Sequence, residues 1–202
     1  MKSITYPNHQ LRDIELTIGI CGSRLSGKDS TANLIQQYID IPKASLADPI
    51  KEQYAELMDI SIEELYEQGP KKELHRVGLI TLGAARRQQH VDWWCESLHK
   101  KMQNKIVIIP DIRFTNEVKY FDDNSTTFLL FEVSASEKAL RSRGWKKSFA
   151  DTTTTETERL KFKDRIDHTF DTTSWGSKGG GPDVLKVIKN FDINNKYSKL
   201  TT

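Results

Sequence analysis

Apolar positions along this chain gather in short runs, separated by longer stretches of helical periodicity. Leu16–Cys21 (LTIGIC) is almost continuously apolar, as expected for a strand covered on both faces. A helix is predicted over Gly27–Ile39, with Ala32, Leu34, Ile35 and Tyr38 on its inner face. Lys43–Leu46 reads as a short second strand. Asp48-Pro49 then reads as a helix start, Asp as N-cap and Pro at the first helical position, with the helix running to about Met58. Ser61-x-x-Glu64 is a capping-box pattern for another short helix, and Gly69-Pro70 breaks the chain. Residues 71–103 read as helix in two pieces, bent near Gln88–Asp92.

The second half repeats the alternation. Strands are predicted at Lys105–Ile109, Phe128–Val133 and Ile166–Phe170. Helices are predicted at Asn116–Phe121, from the capping box Ser134-x-x-Glu137 to Gly144, from Thr155-x-x-Glu158, and at Asp183–Phe191. Ser148–Thr155 is Thr-rich and polar, the composition of a mobile loop; Lys178–Pro182 is a Gly-rich linker. Strand–helix alternation predicts a mostly parallel sheet between two helical layers. Ligands of such sheets bind beyond the carboxyl ends of the strands, where Cys21, Asp111 and Val133 fall.

The first strand runs into Gly22-Ser23-Arg24-Leu25-Ser26-Gly27-Lys28, a phosphate-binding loop G-x-x-x-x-G-K followed by Asp29 in place of Ser or Thr. Two glycines let the backbone curl so that N–H groups converge on an anion. The next helix points its positive end at the same place, and Lys28 adds a mobile charge. Asp111, just past an apolar run, reads either as a Mg²⁺ carboxylate or as the cap of the next turn. Asp29 reads either as a water-mediated Mg²⁺ ligand or as a first-turn Asp favoured by the helix dipole.

Lys51, Lys72, Arg76, Arg86, Arg87 and Arg113 lie between the loop and the third strand or just after it. Transfer between two phosphorylated reactants gathers negative charge that fixed cations must offset. Arg87 and Arg113 stand out, because Arg binds phosphate bidentately; each of the six also reads as a solvated charge. Arg141 and Arg143, in LRSRGW before the Thr-rich loop, are candidates for a lid over the donor phosphates or for helix C-terminal charges. Trp93, Trp94 and Trp145 could stack on a base, with core packing expected for at least two.

At 202 residues the chain fits one domain. Residues 1–14 and 193–202 are expected as flexible tails, with a single phosphate-loop domain over 15–192 and a lid near 141–158. A formal charge of +2 gives no polyanion signal, so stable nucleic-acid binding is not expected. Two cysteines outside any C-x-x-C spacing, no membrane-length apolar run and no signal-peptide core predict a cytoplasmic protein without disulfides. Five scattered histidines suggest no zinc site.

GSRLSGKDS resembles the loop shared by bacteriophage deoxynucleoside monophosphate kinases and animal-type phosphomevalonate kinases. SLADPIKEQYAEL, LITLGAARRQQHVDWWCESL and IIPDIRFTNEV resemble both families, and together these stretches cover most of residues 16–121. LADPIKE and DIRFTNE are more similar to the phage enzymes. KEQYA, the Trp pair before Cys95, and Arg143-Gly144-Trp145 with an Asp/Thr/Glu stretch are more similar to phosphomevalonate kinase. Arg113-Phe114 stands where the latter family pairs two arginines, and Ser45 where it has a basic residue. LGA replaces the LGT of the nucleotide kinases, whose later His-x-Ser-Glu motif is not evident.

The resemblance implies a three-layer P-loop kinase fold with about five parallel strands in the order 2-3-1-4-5. It implies ATP phosphates on Gly22–Asp29, extending to Ser30, with Mg²⁺ near Asp111 and Asp29. Around the acceptor phosphate it implies Lys72, Arg87 and Arg113, and Lys51 and Arg76 join them as substrate-side candidates. The expected reaction moves the γ-phosphoryl of ATP onto a small phosphorylated acceptor. A deoxynucleoside monophosphate comes first, phosphomevalonate second and a DNA-borne nucleotide or base third. A non-catalytic nucleotide switch is the reading from a different class. The oligomeric state is not encoded in any pattern found.

Overall fold

The computed structural model describes residues 13–66, 70–146, 158–175, 180–193 and 196, with the side chains of 70–72 left aside. Strand β1 (Ile14–Cys21) is followed by α1 (Lys28–Gln36), α2 (Ala47–Met58), α3 (Glu63–Tyr66), α4 (Pro70–Gln89) and α5 (Trp93–Lys101). Then come β2 (Ile106–Ile109), α6 (Thr115–Asn124), β3 (Ser125–Ser134) and α7 (Glu137–Ser142). A 3-10 helix (Glu158–Arg165), β4 (His168–Asp171) and a last helix, α8 (Gly181–Asn190), complete the described chain.

Among the described residues the sheet has four strands in the order β2-β1-β3-β4, every pair parallel. This corrects the expectation of five. The strand expected at Lys43–Leu46 is reduced to one bridge, Lys43 beside Ile108, flanking β2 where its place in the order would be. Its extension is diverted. Ser45, Leu46 and Ala47 turn their donors to the Asp111 carboxylate instead of a ladder. The same contacts correct the start of α2. Its N-cap position is Leu46, not Asp48, and the capping acceptor comes from Asp111, far along the sequence. Likewise α7 is capped by Ser136, whose hydroxyl accepts from Ala139 N, rather than by Ser134. The bend expected near Gln88–Asp92 separates α4 from α5.

Alternation along the strands divides the core. Leu16, Ile18, Ile20, Ile106, Ile108, Phe131 and Val133 pack with Ala32 and Ile35 of α1 and Val184, Val187 and Ile188 of α8. Val107, Ile109, Phe128 and Leu130 pack on the other face with Trp94 and Leu98 of α5 and Val118 and Phe121 of α6. Each Val, Leu, Ile or Phe among them contributes roughly 1.5–3 kcal/mol when fully buried. Ile193, placed by sequence in the C-terminal tail, is buried in the first of these clusters, and β1 already begins at Ile14. A smaller cluster of Tyr54, Ala55 and Leu65 joins α2, α3 and α4. Cys21 and Cys95 are both free and buried. Among the described residues no helix is long and apolar enough to cross a membrane.

Candidate active site

The carboxyl edge of the sheet collects the loop after β1, the turn after β2 and the ends of β3 and β4. Three backbone positions shape the loop after β1. Gly22 has φ 143°, Leu25 φ 62° and Gly27 φ 104°. At Gly22 a Cβ would lie 2.2 Å from Val133 O, so the close approach to β3 as well as the dihedral requires glycine. Gly27 forms the N-cap position of α1, and the side chain and N–H of Thr31 both bond its carbonyl.

The loop is strapped from behind. Thr172, just past β4 and buried, donates its hydroxyl to Ser26 O at 2.6 Å. Arg143 Nη1 donates to Leu25 O and Ser26 O, both at 3.2 Å, and Nη2 donates to Thr172 O at 2.5 Å. Lys28 Nζ donates to Gly22 O and Ser23 O, each at 2.8 Å. Arg24 reaches Lys146 O at 3.2 Å. The Ser26 hydroxyl is buried with no hydrogen-bond partner among the described residues. Asp29 and Ser30 are exposed in the first turn of α1. With its carbonyls held, the loop keeps its curl, and the first N–H groups of α1 stay unpaired within the helix.

Asp111 accepts three bonds: Leu46 N at 3.0 Å on Oδ1, Ala47 N at 3.0 Å and Ser45 Oγ at 2.8 Å on Oδ2. A carboxylate has about four lone-pair sites, so one on Oδ1 is left for a further donor or a metal-bound water. No three His, Cys, Asp or Glu side chains converge among the described residues. Mg²⁺ bound with nucleotide phosphates takes only one or two carboxylates and keeps several waters, and the exposed Asp29 with the spare site on Asp111 fits that need.

Arg87, in the last turn of α4, lies with its guanidinium 4.1 Å from the centre of the Phe114 ring. Its Nη2 is 3.4 Å from Glu117 Oε1. Glu117 Oε2 accepts from Arg113 N at 2.7 Å and Phe114 N at 3.0 Å. Burial drives the Glu117 pKa up to about 7, against the lowering effects of Arg87 and the two backbone donors. The structure thus brings the Arg87 guanidinium and the Arg113 main chain to one carboxylate.

The remaining cations are placed elsewhere. Lys51 pairs with Asp48 at 3.4 Å and sits 3.8 Å over the Tyr66 ring, whose hydroxyl burial and Asp48 push up to about 12. Arg76 pairs with Glu73 at the surface. Arg86 turns to Gln53 and the Trp93 ring. Arg141 pairs with Glu137 on an exposed helix face, the helix-charge alternative, whereas Arg143 reaches the loop. The side chain of Lys72 and residues 147–157 of the expected lid lie outside the described residues. Trp94 is core, its Nε1 bonded to Gly83 O.

Sequence patterns missed Glu117, Thr172 and the pair Arg159–Glu132. Arg159 Nη1 is 2.7 Å from Glu132, which stands beside Cys21 in the β1–β3 register. Glu117 had one available signal, its place as the third residue of a helix after a strand-end Asp. Thr172 had none, because its partner is 146 residues away.

Comparison with known proteins places the chain. The family model for phosphomevalonate kinase matches residues 20–127, more than half of the sequence. The phosphomevalonate kinase of Drosophila melanogaster is 22% identical over 134 residues, covering 62% of this chain and 71% of that protein. Among solved structures, TT1252 from Thermus thermophilus superposes with a TM-score of 0.51 at 16% identity, covering 90% of this chain and 98% of that one. A gluconokinase from Sinorhizobium meliloti 1021 gives a TM-score of 0.50 at 13% identity, covering 92% and 98%. At these identities the two structures share the fold with this chain.

Proposed function

The chain belongs to the phosphomevalonate kinase family and is a kinase, and from that premise we propose that it moves the γ-phosphoryl of ATP onto the phosphate of phosphomevalonate. Sequence motifs alone put a deoxynucleoside monophosphate first; family membership reverses that order. The observation that supports the reading most is a strapped phosphate-type loop with Lys28 after β1, together with an Arg87 guanidinium held by Glu117 beside the Arg113 main chain, just after β2.

In this reading the α1 N-terminus and the loop from Gly22 to Ser30 bind the donor phosphates. Lys28 leaves the Gly22 and Ser23 carbonyls to follow the migrating group. Arg87 and Arg113 align the acceptor phosphate so that one of its oxygens attacks γ-phosphorus as the bond to the β–γ bridging oxygen breaks. Positioning and charge neutralisation supply most of such catalysis. Asp29 and Asp111 would hold Mg²⁺, which when bound neutralises charge on the phosphates.

A deoxynucleoside monophosphate is the second reading. It is favoured by Phe114 lying against Arg87 where a second arginine would serve an anionic acceptor, and by Ser45, whose hydroxyl is spent on Asp111. The test is ADP release with phosphomevalonate and with the deoxy- and ribonucleoside monophosphates. Turnover of phosphomevalonate is expected. Turnover of nucleotides alone reverses the order again, and ATP binding without turnover of any acceptor supports a switch. Arg87→Ala should cost about 10²–10³ in acceptor turnover while ATP binding persists. Unchanged turnover would remove Arg87 from the acceptor site.

A further inference from the structure

We infer that Glu117 is a positioning residue for the acceptor site, orienting Arg87 and the Arg113–Phe114 backbone as one unit; this rests on the reading of Arg87 and Arg113 given above. Its two oxygens divide the work. Oε1 faces Arg87 Nη2 at 3.4 Å, while Oε2 accepts from the backbones of Arg113 at 2.7 Å and Phe114 at 3.0 Å. Arg87 is thereby fixed in two directions, by the carboxylate at one edge and by the Phe114 ring at its face. Phe114 is itself held by Glu117, so a single side chain sets both the charge partner and the stacking surface of that guanidinium.

Helix capping alone does not account for this arrangement. Glu117 stands third in α6 and accepts from the N-cap backbone N–H, half of a capping box. Phe114 has no side-chain acceptor to return the bond. A cap needs a carbonyl oxygen at this position, and a glutamine supplies one. Glu117 is a carboxylic side chain, 2% exposed, in a place where burying charge is costly unless a cation answers it. The cation that answers it is Arg87. The Arg87 side chain is 20% exposed, so a ligand can still reach it.

Glu117→Gln separates the two roles, because the amide oxygen can still accept from the backbone while the charge facing Arg87 is lost. With the acceptor that the wild type turns over, kcat/KM for that acceptor should fall 10-fold or more while KM for ATP stays within 2-fold. In an Arg87→Ala background the same Glu117→Gln change should cost less than 2-fold, since its main target is gone. Glu117→Asp, which keeps the charge, should recover part of the loss. An equal loss in both backgrounds, or parallel rises in KM for ATP and acceptor, would assign Glu117 to the fold alone. A crystal structure of Glu117→Gln decides the matter without any turnover. Arg87 should leave the Phe114 ring, and a guanidinium still seated there overturns the inference even if no acceptor is ever found. A wild type inactive on every phosphorylated acceptor would instead count against the proposed reaction.

Discussion

Single positions fix the chemistry of this edge more than composition does. At Gly22 both the dihedral and the 2.2 Å approach of a notional Cβ to Val133 O forbid a side chain. Gly22→Ala is expected to cost about 1–3 kcal/mol and to abolish ATP binding, read by chemical denaturation and by nucleotide titration. Glu117 gives a pH signature. Its folded-state pKa is raised from 4.5 to about 7, mainly by burial, so the folded protein binds this proton more tightly than the unfolded chain. The resulting stabilisation is complete below pH 4.5 and is lost as pH rises through about 7. The stability of wild type relative to Glu117→Gln should therefore decline across that window and level off above it; a flat difference in urea midpoints would refute the assignment. The glycines and Lys28 were legible as residues, because a tight anion loop demands those types at that spacing. Glu117 is legible only as a third-position helix residue, because its burial and a partner 30 residues away leave no mark on the local pattern.

Elements show where pattern reading reaches its limit. The long helix and its bend at residues 88–92 follow from periodicity over many turns, and the first strand follows from an unbroken apolar run. The segment 43–46 is too short for its pattern to decide, and a distant carboxylate outcompeted the ladder for its donors. The start of α2 therefore depends on Asp111 rather than on its own Asp48. Asp111→Ala should destabilise the protein by about 1.5–3 kcal/mol, and hydrogen exchange should quicken first at Leu46 and Ala47. Equal protection of those amides in both proteins would show that the cap is supplied elsewhere.

Across the whole molecule, the strapped loop and the Arg87–Glu117 cluster are built from different parts of the chain. The family match, residues 20–127, takes in the loop, the Arg87 helix and Glu117, whereas Arg143 and Thr172 lie beyond it. The chain end matters too. Ile193 is 1% exposed against the cluster that holds Phe131 and Val187. Ile193→Ala should cost about 2–5 kcal/mol, a loss visible in the denaturant midpoint. An unchanged midpoint would mean that the last described residues do not close the core. The layer arrangement was readable because strands and helices alternate. The partition of the site was not, since it depends on which strand ends meet.

The two thiols lie inside this packing. Burial first, with Glu132 adding to it, raises Cys21 to about 12, and burial raises Cys95 as well. Almost no thiolate is present at neutral pH for an electrophile to capture. The unaltered protein should therefore resist maleimides while folded. A dye coupled at Lys138→Cys, on the exposed side of α7, would then be the single optical label on the molecule, with no native cysteine to be removed first.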